Sequence, residues 1–206
     1  MKRNYGEPPI VLSDYINIEA EEMCFVQYLP IKMSNQEKLG NEIKIPKNLL
    51  WIKPLISFIE KDIEECHYLY ISVKHIYVVP ENMGNRPGWH SDGFKTNDIN
   101  YIWTDKFPTE FCIQNFNINQ NCATSMIEMQ NQVIEKNIKT YGEKSFLKLD
   151  QYNIHRSPQA GSDYRTFIKI SLSKDRYNLK GNAHNYLFDY EWNMKKRMTE
   201  RNHPHQ

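Results

Sequence analysis

From Tyr68 to Leu172 the chain alternates between short β-patterned runs and turn-forming stretches, which limits it to a fold built on strands. Tyr68-Leu69-Tyr70-Ile71-Ser72-Val73 and His75-Ile76-Tyr77-Val78-Val79 read as one long strand or two adjoining ones. Their β-branched and aromatic side chains suit a pleated, half-buried surface. Ile99 to Trp103, Phe111 to Ile118 and Phe146 to His155 are further strand candidates, and Tyr164 to Leu172 alternates plainly. Met126 to Tyr141 fits a helix ended by Gly142 as well as it fits a strand plus loop. Upstream, Met23 to Pro30 reads as a strand closed by proline. Pro46 to about Glu65 reads as one helix, with Leu49, Leu50, Ile52, Leu55, Ile56, Phe58, Ile59 and Ile63 at helical spacing. The aromatic-rich segment Tyr186 to Trp192 reads as a closing helix. With no repeat and no linker, residues 1–206 form a single domain. It is mainly β with supporting helices: a sandwich or barrel core over 68–172, with an N-terminal strand and helix and a C-terminal helix packed on it.

Composition narrows the partners. The formal net charge is +1, which disfavours a protein devoted to gripping long nucleic acid and leaves a small molecule as the favoured partner. The cluster Lys195, Lys196, Arg197 reads as a solvated helix end. Cys24, Cys66, Cys112 and Cys122 form no CxxC pair. No apolar run is long enough to cross a membrane, and the N-terminus has no signal-peptide pattern. Reduced thiols in a cytoplasmic protein are the expectation.

The chemistry centres on three separated residues. On a strand, residues two apart point to one side, so His90 and Asp92 of His90-Ser91-Asp92 can face one ion. Seven histidines predict about one such His-x-acid pair by chance, so the pair alone specifies little. His155 follows 65 residues later at the end of a strand candidate, and Arg165 lies near the start of the next. A hairpin folded about Ala160 would set His155 and Arg165 opposite each other on one face. Two imidazoles and a carboxylate on one face of an octahedral ion leave three positions open, the pattern of non-heme Fe(II) oxygenases. A 2-oxo acid fills two of them, O₂ the third, and a guanidinium suits the far carboxylate. Tyr77, on the strand before the motif, is a candidate for a hydrogen bond to the same co-substrate. Trp89, Phe94, Trp103 and Gln114 are candidates for the pocket wall. His203 and His205 read as part of a frayed terminus.

The ordered set His90-x-Asp92, His155 and Arg165 resembles the Fe(II)/2-oxoglutarate-dependent dioxygenases, over roughly residues 68–172. The resemblance implies a double-stranded β-helix (jelly-roll) core, with His90, Asp92 and His155 as catalytic metal ligands for Fe(II) and Arg165 on 2-oxoglutarate. It implies an enzyme that hydroxylates its substrate while 2-oxoglutarate becomes succinate, and the near-neutral charge favours a small molecule as that substrate. Many members carry Arg-x-Ser at the co-substrate site, whereas Arg165-Thr166-Phe167 has phenylalanine third, so a hydroxyl contact must come from elsewhere or be absent. Two alternatives stay open: a cupin-like metal enzyme that does not use 2-oxoglutarate, and a non-catalytic jelly-roll binding module.

Overall fold

The structure is a computed structural model that describes residues 3–33, 42–119, 121–159 and 161–197. The fold is mainly β, in two antiparallel sheets. The strands among the described residues are β1 Ile10–Ser13, β2 Cys24–Lys32, β3 Tyr68–Val78, β4 Ile99–Thr104, β5 Glu110–Cys112, β6 Ile138–Thr140, β7 Phe146–Leu149, β8 His155–Arg156 and β9 Asp163–Ser173. The larger sheet has the order β1-β7-β4-β9-β3-β2 and the smaller β6-β5-β8. The backbone of the large sheet is the long pairing of β3 with β9, from Tyr68 opposite Ser173 to Val78 opposite Asp163.

The two faces of the large sheet differ because strand residues alternate. Leu69, Ile71 and Val73 of β3 and Ile168, Ile170 and Leu172 of β9 join the helix residues Leu49, Ile52, Leu55, Ile56, Ile59 and Ile63 in one aliphatic core. Ser72 and Lys74 of β3 and Phe167 and Lys169 of β9 line a cavity on the other face. Ile102, Phe111, Leu147 and Leu149 pack between the sheets. The outer side of the small sheet is covered by α3, Cys122–Gln132, through Met129, beside Trp89, Phe94 and Ile154.

Several expectations are corrected here. The helix over 46–65 is three short pieces: a 3-10 turn Lys47–Ile52, α1 Lys53–Ser57 and α2 Glu60–Glu64. Pro54 has no N–H to give the Leu50 carbonyl, which takes the Lys53 N–H instead. The buried spacing survives, apart from the exposed Leu50 and Phe58. The strand expected at Met23 runs past Pro30 to Lys32, which an edge strand tolerates. Met126 to Tyr141 contains both alternatives, the end of α3 and then β6. Phe146 to His155 is two strands, because Asp150 and Asn153 make a side-chain-closed turn. That turn carries the chain from the large sheet to the small one.

The helix expected over 186–192 is not formed: these described residues are irregular chain. The segment opens with a turn in which the Phe188 N–H bonds the Asn185 carbonyl at 3.1 Å, and the Asn185 side chain pins it to the Pro30 and Lys44 carbonyls at 2.8 and 2.9 Å. Lys195 and Lys196 are exposed, so the solvated part of that reading stands without a helix. His203 and His205 lie outside the described residues. Among the described residues no helix is long and apolar enough to cross a membrane, and Cys24, Cys66 and Cys112 are free thiols.

Candidate metal centre

His90 and His155 meet through the backbone. They form an antiparallel bridge in which each N–H bonds the other's carbonyl, at 3.0 and 2.9 Å, so their side chains leave on one side. Their ring centroids lie 4.6 Å apart. Asp92 is two residues along, and the three ligand atoms of His90, Asp92 and His155 lie within 4.8 Å of one another. His155 Nε2 is 3.8 Å from Asp92 Oδ2. The turn after Asp92 needs Gly93: its φ is +65°, and a Cβ there would meet Thr96 Oγ1 at 2.9 Å.

Both histidines are oriented the same way. His90 Nδ1 donates to the Gly88 carbonyl at 2.8 Å, and His155 Nδ1 to the Asn153 carbonyl at 3.0 Å, each reaching two residues back. With the proton on Nδ1, the Nε2 lone pair is left for a metal. Burial, and then His155, pushes His90 down to about 3, and burial lowers His155 against the pull of Asp92. Burial alone would raise the Asp92 carboxyl, but Lys169 and the imidazoles bring it well below the usual carboxylate range. Neutral imidazoles beside an ionised carboxylate are the charge state that divalent-metal binding requires. The donor set therefore fits Fe(II), and equally other borderline divalent ions.

The pocket wall holds residues that sequence reasoning missed. Lys169 Nζ donates to Asp92 Oδ2 at 3.0 Å and to the Tyr28 hydroxyl at 2.9 Å. Burial works against its charge, yet Asp92 and Tyr28 raise its pKa. Tyr28 is aimed by an irregularity of β2 between Val26 and Leu29, where its own φ is +47° and its N–H bonds Ser72 Oγ at 2.9 Å. Lys74 also lines the cavity, bonded to the Gly84 carbonyl and to Asn85 Oδ1. Burial, then Lys169 and Arg165, lowers Lys74 to about 8 against the pull of Asp92. Ser157, two residues after His155, lines the cavity with its hydroxyl buried and unpartnered. A signal for Lys169 was present, because it shares the parity of Arg165 and stands between Ile168 and Ile170.

Arg165 is only 1% exposed and sits on the cavity-side parity of β9, but His155 is not its cross-strand neighbour. β8 belongs to the small sheet and β9 to the large one, so Arg165 pairs with Ile76. The hairpin about Ala160 is thus corrected, and Ala160 itself lies outside the described residues. Arg165 Nε donates to the Lys106 carbonyl at 3.1 Å and Nη1 to the Met83 carbonyl at 3.3 Å, while Nη2 is buried without a partner among the described residues. Its guanidinium stands 5.1 Å from the centroid of Phe167, which lines the cavity in front of it. Burial lowers its pKa to about 10, against the pull of Asp105.

Tyr77 is corrected. It has the parity of Leu69, Ile71 and Val73, opposite the cavity, is 55% exposed and packs against Tyr164. Of the candidate wall residues only Phe94 lines the cavity. Trp103 belongs to the aliphatic core and donates to the Ile16 carbonyl, Trp89 packs with α3 under the Arg156 guanidinium, and Gln114 ties the region after β5 to Gln132. No family model, curated protein or solved structure matches this chain.

Proposed function

We propose that this protein is an Fe(II)- and 2-oxoglutarate-dependent oxygenase with a jelly-roll core, which hydroxylates a small molecule. The observation that carries the reading is the pairing of a His-Asp-His cluster with surplus buried positive charge on the adjoining sheet face. Lys74 and Lys169 line the cavity from two neighbouring strands, Arg165 is buried behind Phe167, and Asp92 is the one carboxylate in the cavity wall among the described residues. A divalent metal adds further charge, so the pocket is complementary to a dianion. When bound, Fe(II) with 2-oxoglutarate supplies activation of O₂ and oxidation of a C–H bond, the co-substrate leaving as succinate.

The chain's own residues supply the rest. His90, Asp92 and His155 hold the metal, and the Gly88 and Asn153 carbonyls fix both imidazoles. Lys169 holds the Asp92 carboxylate ionised. Arg165 Nη2 and the Lys74 ammonium are donors for the far carboxylate, and Ser157 supplies a hydroxyl in place of the one missing at Phe167. Phe94, Ile102 and Phe167 make the wall apolar enough to limit water near the target carbon.

The test is anaerobic titration of the Fe(II)-loaded protein with 2-oxoglutarate, following the visible charge-transfer band, and then succinate release in air. Arg165→Met and Lys74→Met should each raise the half-saturating 2-oxoglutarate concentration by about tenfold or more, the equivalent of roughly 1.5–3 kcal/mol for a hydrogen bond to a charged group. Below pH 8 the Lys74 ammonium is present; as pH rises through about 8 the free pocket loses it, between Lys169, Arg165 and Asp92. Affinity for the dianion should therefore fall over that range, and Lys74→Met should flatten the profile. A cupin-like metal enzyme is the second reading, favoured by the screening of Arg165 behind Phe167. Under it, Arg165→Met leaves metal bound and no 2-oxoglutarate band forms in either protein.

A further inference from the structure

A file of aromatic side chains leads out of the metal pocket to the surface. Tyr28 and Tyr177 line the cavity, with ring centroids 4.8 Å apart. Tyr177 lies 4.6 Å from Tyr70, which stacks on Tyr68 at 5.9 Å. Both are on β3 with the cavity-side parity of Ser72 and Lys74. Tyr68 meets Trp192 at 6.0 Å, Trp192 meets Tyr190 at 4.8 Å, and His184 links Tyr190 at 4.3 Å to Tyr186 at 4.6 Å. Tyr186 is 90% exposed. The inner end is two hydrogen bonds from a metal ligand, through Tyr28 hydroxyl, Lys169 and Asp92.

Packing alone does not require this composition. Over the same stretch of β3 the opposite face carries the aliphatic Leu69, Ile71 and Val73, whereas this face buries phenols, each of whose hydroxyls needs a partner. Those partners are present: Tyr70 donates to the Asp175 carbonyl at 3.0 Å, Tyr177 donates to the Asp98 carboxylate, and Tyr68 accepts from Arg176 at 3.2 Å. Every ring in the file except His184 is tyrosine or tryptophan, the side chains that give up one electron most readily. Asp98 is placed to take and return the Tyr177 proton.

We propose that the file is an electron conduit that protects the metal pocket. Resting on the oxygenase reading for its oxidant, it acts when a dioxygen-derived one-electron oxidant forms in the pocket with no substrate to consume it. The oxidant gains one electron and one proton. Tyr186 loses one electron along the file and its phenolic proton to bulk water, and the inner tyrosines end as intact phenols. The surface radical is then quenched by a thiol or ascorbate-type reductant, so the lesion leaves the site.

The test exposes Fe(II)-loaded protein to 2-oxoglutarate and air without further substrate, with a spin trap present. Succinate is measured, and peptide mass spectrometry locates trapped or oxidised residues. The expected adducts lie on Tyr186, Tyr190 and Trp192. Tyr68→Phe, which keeps the ring but not its ease of oxidation, and Trp192→Phe should both shift them inward to Tyr28 and Tyr177. A parallel arm replaces 2-oxoglutarate and air with hydrogen peroxide. Outer adducts there without succinate in the first arm retain the conduit and remove the 2-oxoglutarate reading. Succinate with adducts confined to Tyr28, or unmoved by both variants, overturns the conduit and leaves the oxygenase. No iron uptake overturns both.

Discussion

Replacing His155 by alanine is expected to bring iron in anaerobically prepared protein down from one equivalent to background. The loss should exceed the roughly 10–100-fold that removing an outer partner of a metal ligand costs. Three donors hold the ion, and His155 supplies one of its two imidazoles. The fold should survive, because the bridge between residues 90 and 155 is made by backbone groups that alanine also has. The vacated space lies against Phe111, whose ring centroid is 5.7 Å from that of His155, so His155→Gln is the variant that keeps more of the volume. Thermal unfolding gives a second readout. Metal at 100 times its Kd stabilises the native state by about 2.7 kcal/mol, and that increment should vanish in His155→Ala and in His90→Ala. Wild-type protein that takes up no more metal than His90→Ala would leave the non-catalytic module as the reading.

The residues that meet at the centre were readable as candidates, because a His-x-Asp pair and a later histidine in a β-patterned region need only two backbone segments to converge, although His155 begins β8 and does not end a strand from Phe146. The strands were equally readable, in 68–79 from β-branched and aromatic content and in 164–172 from alternation. The misreadings came where side-chain hydrogen bonds override pattern. Asp150 and Asn153 close a turn inside an apparently continuous strand, and so His155 and Arg165 fall in different sheets. Asn185 holds an irregular aromatic segment against the body of the protein where helix was expected. Lys74 and Lys169 escaped because a lysine in a strand ordinarily points to water. The Lys169 partners, Tyr28 and Asp92, come from distant segments whose approach no local signal encodes, and Lys74 is turned by Asn85 in the loop that follows its own strand.

In metal-free protein, Asp92→Ala is expected to lose about 2–4 kcal/mol of stability, near the lower part of the range for breaking a buried pair because the carboxylate keeps some solvent contact. The reason is the ammonium left behind: Lys169 is 9% exposed and would retain only the Tyr28 hydroxyl. Lys169→Met should cost less, since the remaining carboxylate stays partly solvated. The double variant should recover much of the Asp92→Ala loss, because no unpaired charge then remains. Urea unfolding of the four proteins closes the cycle, and a coupling within about 0.5 kcal/mol of zero would mean the pair is not formed. The same geometry fixes the sign of the metal effect. Lys169 bonds the Asp92 oxygen that lies 3.8 Å from His155, the one turned toward the proposed ion. Ammonium and divalent cation therefore compete for one oxygen, and their repulsion at such range amounts to several kcal/mol at an effective dielectric of about 20. Lys169→Met should thus bind Fe(II) at least as tightly as wild type while being less stable without it. Weaker metal binding in that variant would instead make Lys169 an aid to the ion and not its stand-in.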